Sequence, residues 1–438
     1  MRKVNQWFGM SALSMMLLMP VQLSANDDFA GVEDDFAAID ALLDKQFAGT
    51  DVILERRFNA VEQAVERALK GLSNKIEVNW GAEELKLPSA HEWVDYTPDM
   101  QTRRMIDFEA GQLAIETIIQ PEQTPQQVIQ RLKNALVAAK VDTPESLQEK
   151  DQLSQAIEQE LATSEQSVAP VAKKPKAKMT VANKPVLQDV VSNEQIELVL
   201  QELEKLEAQQ DFTAVARLDE DSKQAQTGTQ LQTRDIEVAD KAAKVLRIKI
   251  PFLSNYQNEL IERNFATIKK YSEKYQVPVS LVLAIIETES SFNPRATSPV
   301  PAFGLMQLVP RTAGIDAYKH VYGEKRVVEP EYLYDSEQNI ELGVAYFDLL
   351  TTRYLRKVND PLARFYCAVA SYNTGVGNVA KTFTGNSKNF NKAARIINKQ
   401  SAEQVYQYLS VNLPALETRR YLDKVTKAKK RYAKWDEV

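Results

Sequence analysis

The chain has 438 residues, 44% hydrophobic and 26% charged, with a formal net charge of −6, which is ordinary for a soluble globular protein and enough for two or three packed domains. A single cysteine, Cys367, and two histidines, His91 and His320, with no HExxH pattern, exclude an internal disulfide and a Cys-rich metal site, and neither a catalytic metal nor a cofactor is expected. Charge is uneven: 30 of 54 Lys+Arg but 19 of 60 Asp+Glu lie beyond Asp240, so that part carries about +11 and the rest about −17. The basic part either attracts an anionic polymer or is a solvated surface; no nucleic acid is expected as a partner.

Met1-Arg2-Lys3, a mostly apolar run from Trp7 to Pro20, and Leu23-Ser24-Ala25 fit a secretory signal over residues 1–25. The run is shorter than the roughly 20 residues that span a bilayer. No cysteine at the cleavage point offers a lipid attachment site.

A helix is predicted over 36–76, where Phe47, Leu54, Phe58, Val61, Val65, Leu69, Leu72 and Ile76 make one apolar stripe. The stripe packs on the neighbouring domain, with a coiled coil or a membrane-surface face as the alternatives. Short β-prone runs follow: Trp93–Tyr96, Arg104–Phe108 and Leu113–Thr117, the last two joined by Glu109-Ala110-Gly111-Gln112, a hairpin signal. Residues 121–162 return to helical periodicity, with Thr124 as a cap. Together, 26–162 read as a small α+β domain with no nucleophile or phosphate loop, able to fold apart and to position or recruit rather than catalyse.

Residues 163–235 read as a flexible linker. Ala169-Pro170-Val171-Ala172-Lys173-Lys174-Pro175-Lys176 buries too little to fold, and an isolated amphipathic helix is predicted at 192–208 through Ile196, Val199, Leu200, Leu203 and Leu206. From 236 to 438 the pattern is almost wholly helical, so the fold class is mainly α. Within it, Cys367 sits in Phe365-Tyr366-Cys367-Ala368-Val369-Ala370 and reads as a buried structural thiol.

The stretch Leu281–Arg311 organises this domain. Leu281 to Ile286 carry no polar side chain, so a helix here is buried on every side. It ends in two carboxylates, Glu287 and Glu289, which stand about 200° apart on a helix, so only one can face a given cleft. Glu289 as a general acid needs a raised pKa, which burial and a helix C-terminus both supply; the bland alternative is a cap or an Arg partner. Glu287 reads as the partner of a basic residue.

Glu289-Ser290-Ser291-Phe292-Asn293-Pro294, with Ala296, Ser298, Gly304-Leu305-Met306-Gln307 and Thr312, resembles the first motif of the soluble-type lytic transglycosylases. Asn339–Tyr346, Ala370–Val379 and Leu416–Leu422 resemble the second, third and fourth motifs in order, and Trp80-Gly81 with Tyr96–Ile119 resembles the N-terminal domain of the membrane-bound C-type members. This chain departs from many relatives at Pro301, where they carry Gly, and at Val411, where some carry Glu.

The resemblance implies a lysozyme-like helical catalytic domain and non-hydrolytic cleavage of the MurNAc–GlcNAc β-1,4 bond of peptidoglycan, leaving 1,6-anhydro ends. It makes Glu289 the one essential carboxylate, acid and then base. Ser298 and Gln307 would bond the sugar, Tyr372 and Asn373 line the cleft, and Tyr421 bind glycan or close the site. Met306 and Tyr346 belong to the same matched set, though their apolar faces read as core packing. Gly304, Gly375 and Gly377 read as backbone devices. The partners implied are peptidoglycan glycan strands, a cell-wall protein docking on the N-terminal domain, and peripheral association with the outer membrane, in the periplasm. A hydrolytic muramidase of the same fold and a non-catalytic glycan-binding scaffold stay open at this point.

Overall fold

The computed structural model describes residues 30–163, 171, 184–209, 228–238 and 241–438. The expected signal segment and much of the expected linker lie outside them. The chain divides into Met1–Val52 and Ile53–Val438, and the second unit holds the sheet, the helical bundle and the site.

Helix α1 (Ala30–Trp80) is longer than the periodicity required. Its stripe is buried from Leu54 through Ile76 apart from Leu69, which is partly covered; Phe47 lies outside the residues whose side chains are described. Leu54 and Phe58 pack on Val327, and Arg57 Nε donates to Glu329 at 2.7 Å, so this end of the stripe packs on the helical bundle, while Val65, Leu72 and Ile76 join the main core.

Beyond α1 comes an antiparallel sheet of β1 (Glu92–Tyr96), β2 (Thr102–Asp107), β3 (Gln112–Ile119), β4 (Gln230–Val238) and β5 (Lys241–Pro251), in the order β1-β2-β3-β5-β4. The β2–β3 hairpin forms as expected, with Arg104 opposite Ile115 and Asp107 opposite Gln112. On one face Arg103 is wholly buried, 2.7 Å from Glu116 and 4.0 Å above the Trp80 ring, with Glu84 and Arg234 completing the ion network. Removing one member of such a buried set leaves an uncompensated charge, a loss of about 3–5 kcal/mol.

Strands β4 and β5 correct the sequence reading, which gave residues 209–235 to a polar linker and everything beyond to helices. Leu246, Ile248 and Ile250 alternate over only three positions, among Lys, Ala and Arg residues that favour helices, so pairing with β3 decides their state. The helices α2 (Pro125–Val141), α3 (Pro144–Lys150) and α4 (Gln152–Thr163) follow β3, and Thr124 caps α2 through a capping box with Gln127. Helix α5 (Asn193–Gln209) is not isolated: Ile196, Val199, Leu203 and Leu206 are buried against the module, with α2 as its neighbour. Val186, Leu187 and Val190, just before it, are buried too.

The C-terminal bundle comprises α6 (Tyr256–Tyr275), α7 (Val279–Ser290), α8 (Ile315–Tyr322), α9 (Pro330–Leu333), α10 (Ser336–Leu349), α11 (Pro361–Thr374), α12 (Val376–Thr384), α13 (Phe390–Ile397), α14 (Ala402–Asn412) and α15 (Leu416–Arg431). α7 is the central helix: Ser280 through Ile286 are all buried, and α15 is its main neighbour. Buried apolar residues from Val65 to Tyr432 form one continuous cluster. The N-terminal module and the bundle therefore share a core, which runs against the expectation that residues 26–162 fold apart.

Candidate active site

Glu289 stands on the last turn of α7, whose apolar body anchors it in the core. The helix stops at once: Ser291 and Phe292 take φ of 49° and 66°, left-handed values rare outside glycine. Ser290 Oγ donates to Leu305 O at 2.8 Å, fastening this turn to the loop that runs from Asn293 to Leu308.

That loop is folded by backbone and amide bonds. Gly304 at φ 74° lets its chain pass Leu333 O and Asn339 Nδ2, which an added Cβ would meet at 2.2 and 2.4 Å. Asn339 on α10 donates to Phe303 O and Leu333 O, each at 2.8 Å, and accepts from Met306 N at 2.7 Å. Met306 packs against Gly343, in the core as its apolar setting implied. Tyr372 Oη, from α11, donates to Met306 O at 2.9 Å, and its ring lies 5.5 Å from that of Tyr346, also buried.

Around the Glu289 carboxyl the structure gathers Tyr372 from α11 and Tyr421 and Glu417 from α15. Glu289 keeps part of its surface open, yet burial pushes its pKa up to about 8. The Tyr421 hydroxyl opposes this as a donor, and the like charge of Glu417 adds to the rise. Tyr421 Oη is buried beside the Glu289 carboxyl, too loosely aligned with it for a bond of good geometry. Burial, with the Glu289 charge, holds both tyrosine hydroxyls neutral, their pKa values well above 10. At pH 7 a carboxyl with a pKa near 8 is ~90% protonated. The site therefore presents a loaded proton among neutral donors.

The other expected residues are placed as follows. Gln307 spends its Nε2 on Ala296 O and Gly304 O, at 3.1 and 3.0 Å, so its amide closes the loop and only its oxygen is left for a ligand. Ser298 is part-exposed and donates to Val300 O within its own loop. Asn373 is part-exposed beside Tyr372. Glu287 meets Arg431, with both carboxylate oxygens 2.6 Å from Nη2, as its position on the other side of the helix predicted. Burial pushes the Cys367 thiol up to about 12, keeping it a structural thiol.

Sequence reasoning gave Glu417 no role of its own. Its signal was the i, i+4 spacing to Tyr421, which sets both on one face of α15. Because Glu417 raises the Glu289 pKa, Glu417→Gln is expected to move the basic limb of the kcat–pH profile to lower pH. The shift should be less than about one unit, since Glu417 is exposed and screened. An unmoved limb, or one moved upward, would show that Glu417 does not act on the acid.

A proton-loaded glutamate at the end of the buried apolar run Leu281–Ile286, within a helical bundle, is an arrangement suited to acid catalysis. The profile described as "Transglycosylase SLT domain" matches residues 266–396, and the one described as "Membrane-bound lytic murein transglycosylase C, N-terminal domain" matches residues 58–164. The membrane-bound lytic murein transglycosylase C of Pectobacterium atrosepticum is 30% identical over 360 residues, covering 82% of this chain and 87% of the relative. That of Klebsiella pneumoniae strain 342 is 30% identical over 363 residues with the same coverage. The chain belongs to the family of membrane-bound lytic murein transglycosylase C.

Among solved structures, the 70 kDa soluble lytic transglycosylase of Escherichia coli aligns at 17% identity and a TM-score of 0.32, covering 70% of this chain and 44% of that one. The inactive E503Q mutant of the Pseudomonas aeruginosa lytic transglycosylase Slt aligns at 18% and 0.32, over 72% and 38%. The chain spans less than half the length of both.

Proposed function

We propose that Glu289 cleaves the MurNAc–GlcNAc β-1,4 bond of peptidoglycan by acting first as acid and then as base. Its proton passes to the glycosidic oxygen as the C1–O bond breaks, releasing the GlcNAc hydroxyl. The carboxylate then takes the proton of the C6 hydroxyl as that oxygen closes on C1, giving a 1,6-anhydro-MurNAc end. Atoms balance without water, and Glu289 ends protonated. The substrate's N-acetyl oxygen stabilises C1 between the two steps.

The observation that carries this reading is the Glu289 pKa of about 8, set by burial. A carboxyl there holds its proton at neutral pH and is basic enough to take one back. Tyr421 and Tyr372 serve as neutral groups beside the reacting centre, Asn373 and the Gln307 oxygen as sugar contacts, and Ser298 as a rim contact. Met306 and Tyr346 support them from the core.

The domain reading is a signal segment at 1–25, a module at 26–162 that also takes in β4 and β5, a linker between, and a catalytic domain ending at 438. The relatives are named membrane-bound, whereas among the described residues no helix is long and apolar enough to cross a membrane. A periplasmic enzyme with peripheral association at the outer membrane fits both, and the module is the surface for a cell-wall protein.

Mass spectrometry of digested sacculi tests the chemistry. Anhydro-ended muropeptides are expected; products heavier by one water, with reducing ends, would identify a hydrolase instead.

A further inference from the structure

The turn that follows Glu289 is strained, and it is held from both the catalytic bundle and the N-terminal module. Two successive non-glycine residues, Ser291 and Phe292, are left-handed, at φ 49° and 66°. Such residues are costly and persist only where their surroundings over-determine them. From within the bundle the turn receives Ser291 N to Glu287 O at 3.0 Å, Asn293 N to Ser290 O at 2.9 Å, and the Ser290 bond to Leu305.

Further along, Gly304 N and Gln307 Nε2 bond Ala296 O at 2.9 and 3.1 Å, and Thr297 Oγ1 pairs with Tyr334 Oη at 2.7 Å. A second set of bonds comes from the N-terminal module. His91 Nδ1 lies 3.0 Å from Ser291 Oγ, 200 positions away in the chain. Asn293 Nδ2 donates to Ala90 O at 3.2 Å and Ser89 O at 3.4 Å, and Thr297 N donates to Ser89 O at 3.3 Å. That strap is itself held to the sheet, with Ser89 N bonded to Glu92 O at 2.8 Å and Phe108 N to His91 O at 3.0 Å. A second anchor sits at the start of α4. Arg295 is 3% exposed, bonds Asp151 Oδ2 at 2.8 Å and Ser154 Oγ, and stacks 3.7 Å from the centre of the Tyr334 ring. Two of its nitrogens, Nε and Nη1, find no partner, so Asp151 carries much of what keeps this cation buried.

We propose that His91 and Asp151 are positioning residues of the catalytic centre: the N-terminal module clamps the turn at 291–297 and so fixes where Glu289 presents its proton. The catalytic acid is then assembled by both halves of the chain, and the module's contribution is geometric. Neither residue reaches the reacting atoms. A carboxyl misplaced by about 1 Å loses on the order of 100-fold in rate even though the substrate still binds.

The inference rests on Glu289 being the acid and is tested in the full chain with His91→Ala, His91→Asn and Asp151→Asn. Asn places an amide atom close to where His Nδ1 lies, so it can keep the bond to Ser291. Expected for His91→Ala and Asp151→Asn is a fall in kcat of about 10- to 100-fold with KM changed less than about 3-fold. The basic limb of the kcat–pH profile should also move to lower pH, because a loosened turn admits water to a carboxyl now faced by Tyr372, Tyr421 and Glu417. His91→Asn should recover most of kcat.

Wild-type kcat in a folded His91→Ala protein overturns the proposal. So does a loss that His91→Asn fails to restore and that leaves the pH limb in place, the pattern of a merely structural contact. The His91 pair decides the matter if Asp151→Asn does not fold. Glu289→Gln run alongside separates the two readings: if it stays active the acid assignment fails, and if it is dead while His91→Ala is unaffected only the clamp fails.

Discussion

Replacing Glu289 with glutamine is expected to lower the rate on purified sacculi by about 10^3-fold while leaving the fold and glycan binding intact, because in the proposed mechanism it removes the group that both gives and takes the proton. The amide is nearly isosteric and neutral, so the buried site loses no packing. Stability supplies a second, independent signature. Burial raises the folded-state pKa of Glu289 from 4.5 to about 8, so between those values the folded chain binds more protons than the unfolded one. The acid's favourable contribution is complete below about 4.5 and is lost as pH rises through about 8. The Gln variant lacks this titration, so its melting temperature should gain on wild type progressively from pH 5 to pH 9. Substantial activity in the variant would remove Glu289 from the mechanism, and a constant melting difference across that range would show that its pKa is not raised.

Gly304→Ala is expected to cost about 3 kcal/mol and most of the activity. The residue sits at φ 74°, and a Cβ would fall 2.2 Å from Leu333 O and 2.8 Å from Asn339 Cγ. Neither neighbour can yield cheaply: one is backbone, and the other holds Phe303, Leu333 and Met306 by three hydrogen bonds. Displacing Asn339 shifts Met306, and with it the carbonyl that receives the Tyr372 hydroxyl. Denaturant titration reads the stability loss, and a change below about 1 kcal/mol would mean that the loop deforms freely. The two effects should travel together, because the same amide supports the loop and the tyrosine beside the acid.

Much of this was legible in the chain because it depends on neighbours in sequence. The apolar run Leu281–Ile286 marks a buried helix, Thr124 with Gln127 marks a helix start, and Arg104–Thr117 marks a hairpin. Strand β5 was not legible, since three alternating apolar residues among helix formers need a partner strand to choose their conformation. The role of Gln307 was only half legible, because the carbonyls that claim its Nε2 come together when the loop folds back on Ala296.

By itself the sequence determined the class of fold in the C-terminal part and the rule that Glu287 and Glu289, at the end of α7, face different ways. Those follow from local periodicity and the helical repeat of about 3.6 residues per turn. Only the tertiary structure decided which acid meets Arg431 and which meets the buried tyrosines, and that His91 and Asp151 grip the turn beyond it. The physical reason is range. A helix sets the angle between two side chains, but the pKa of a carboxyl depends on the water excluded around it and the charges beside it. Those neighbours, Tyr372, Glu417 and Tyr421, arrive from segments 83 to 132 residues away.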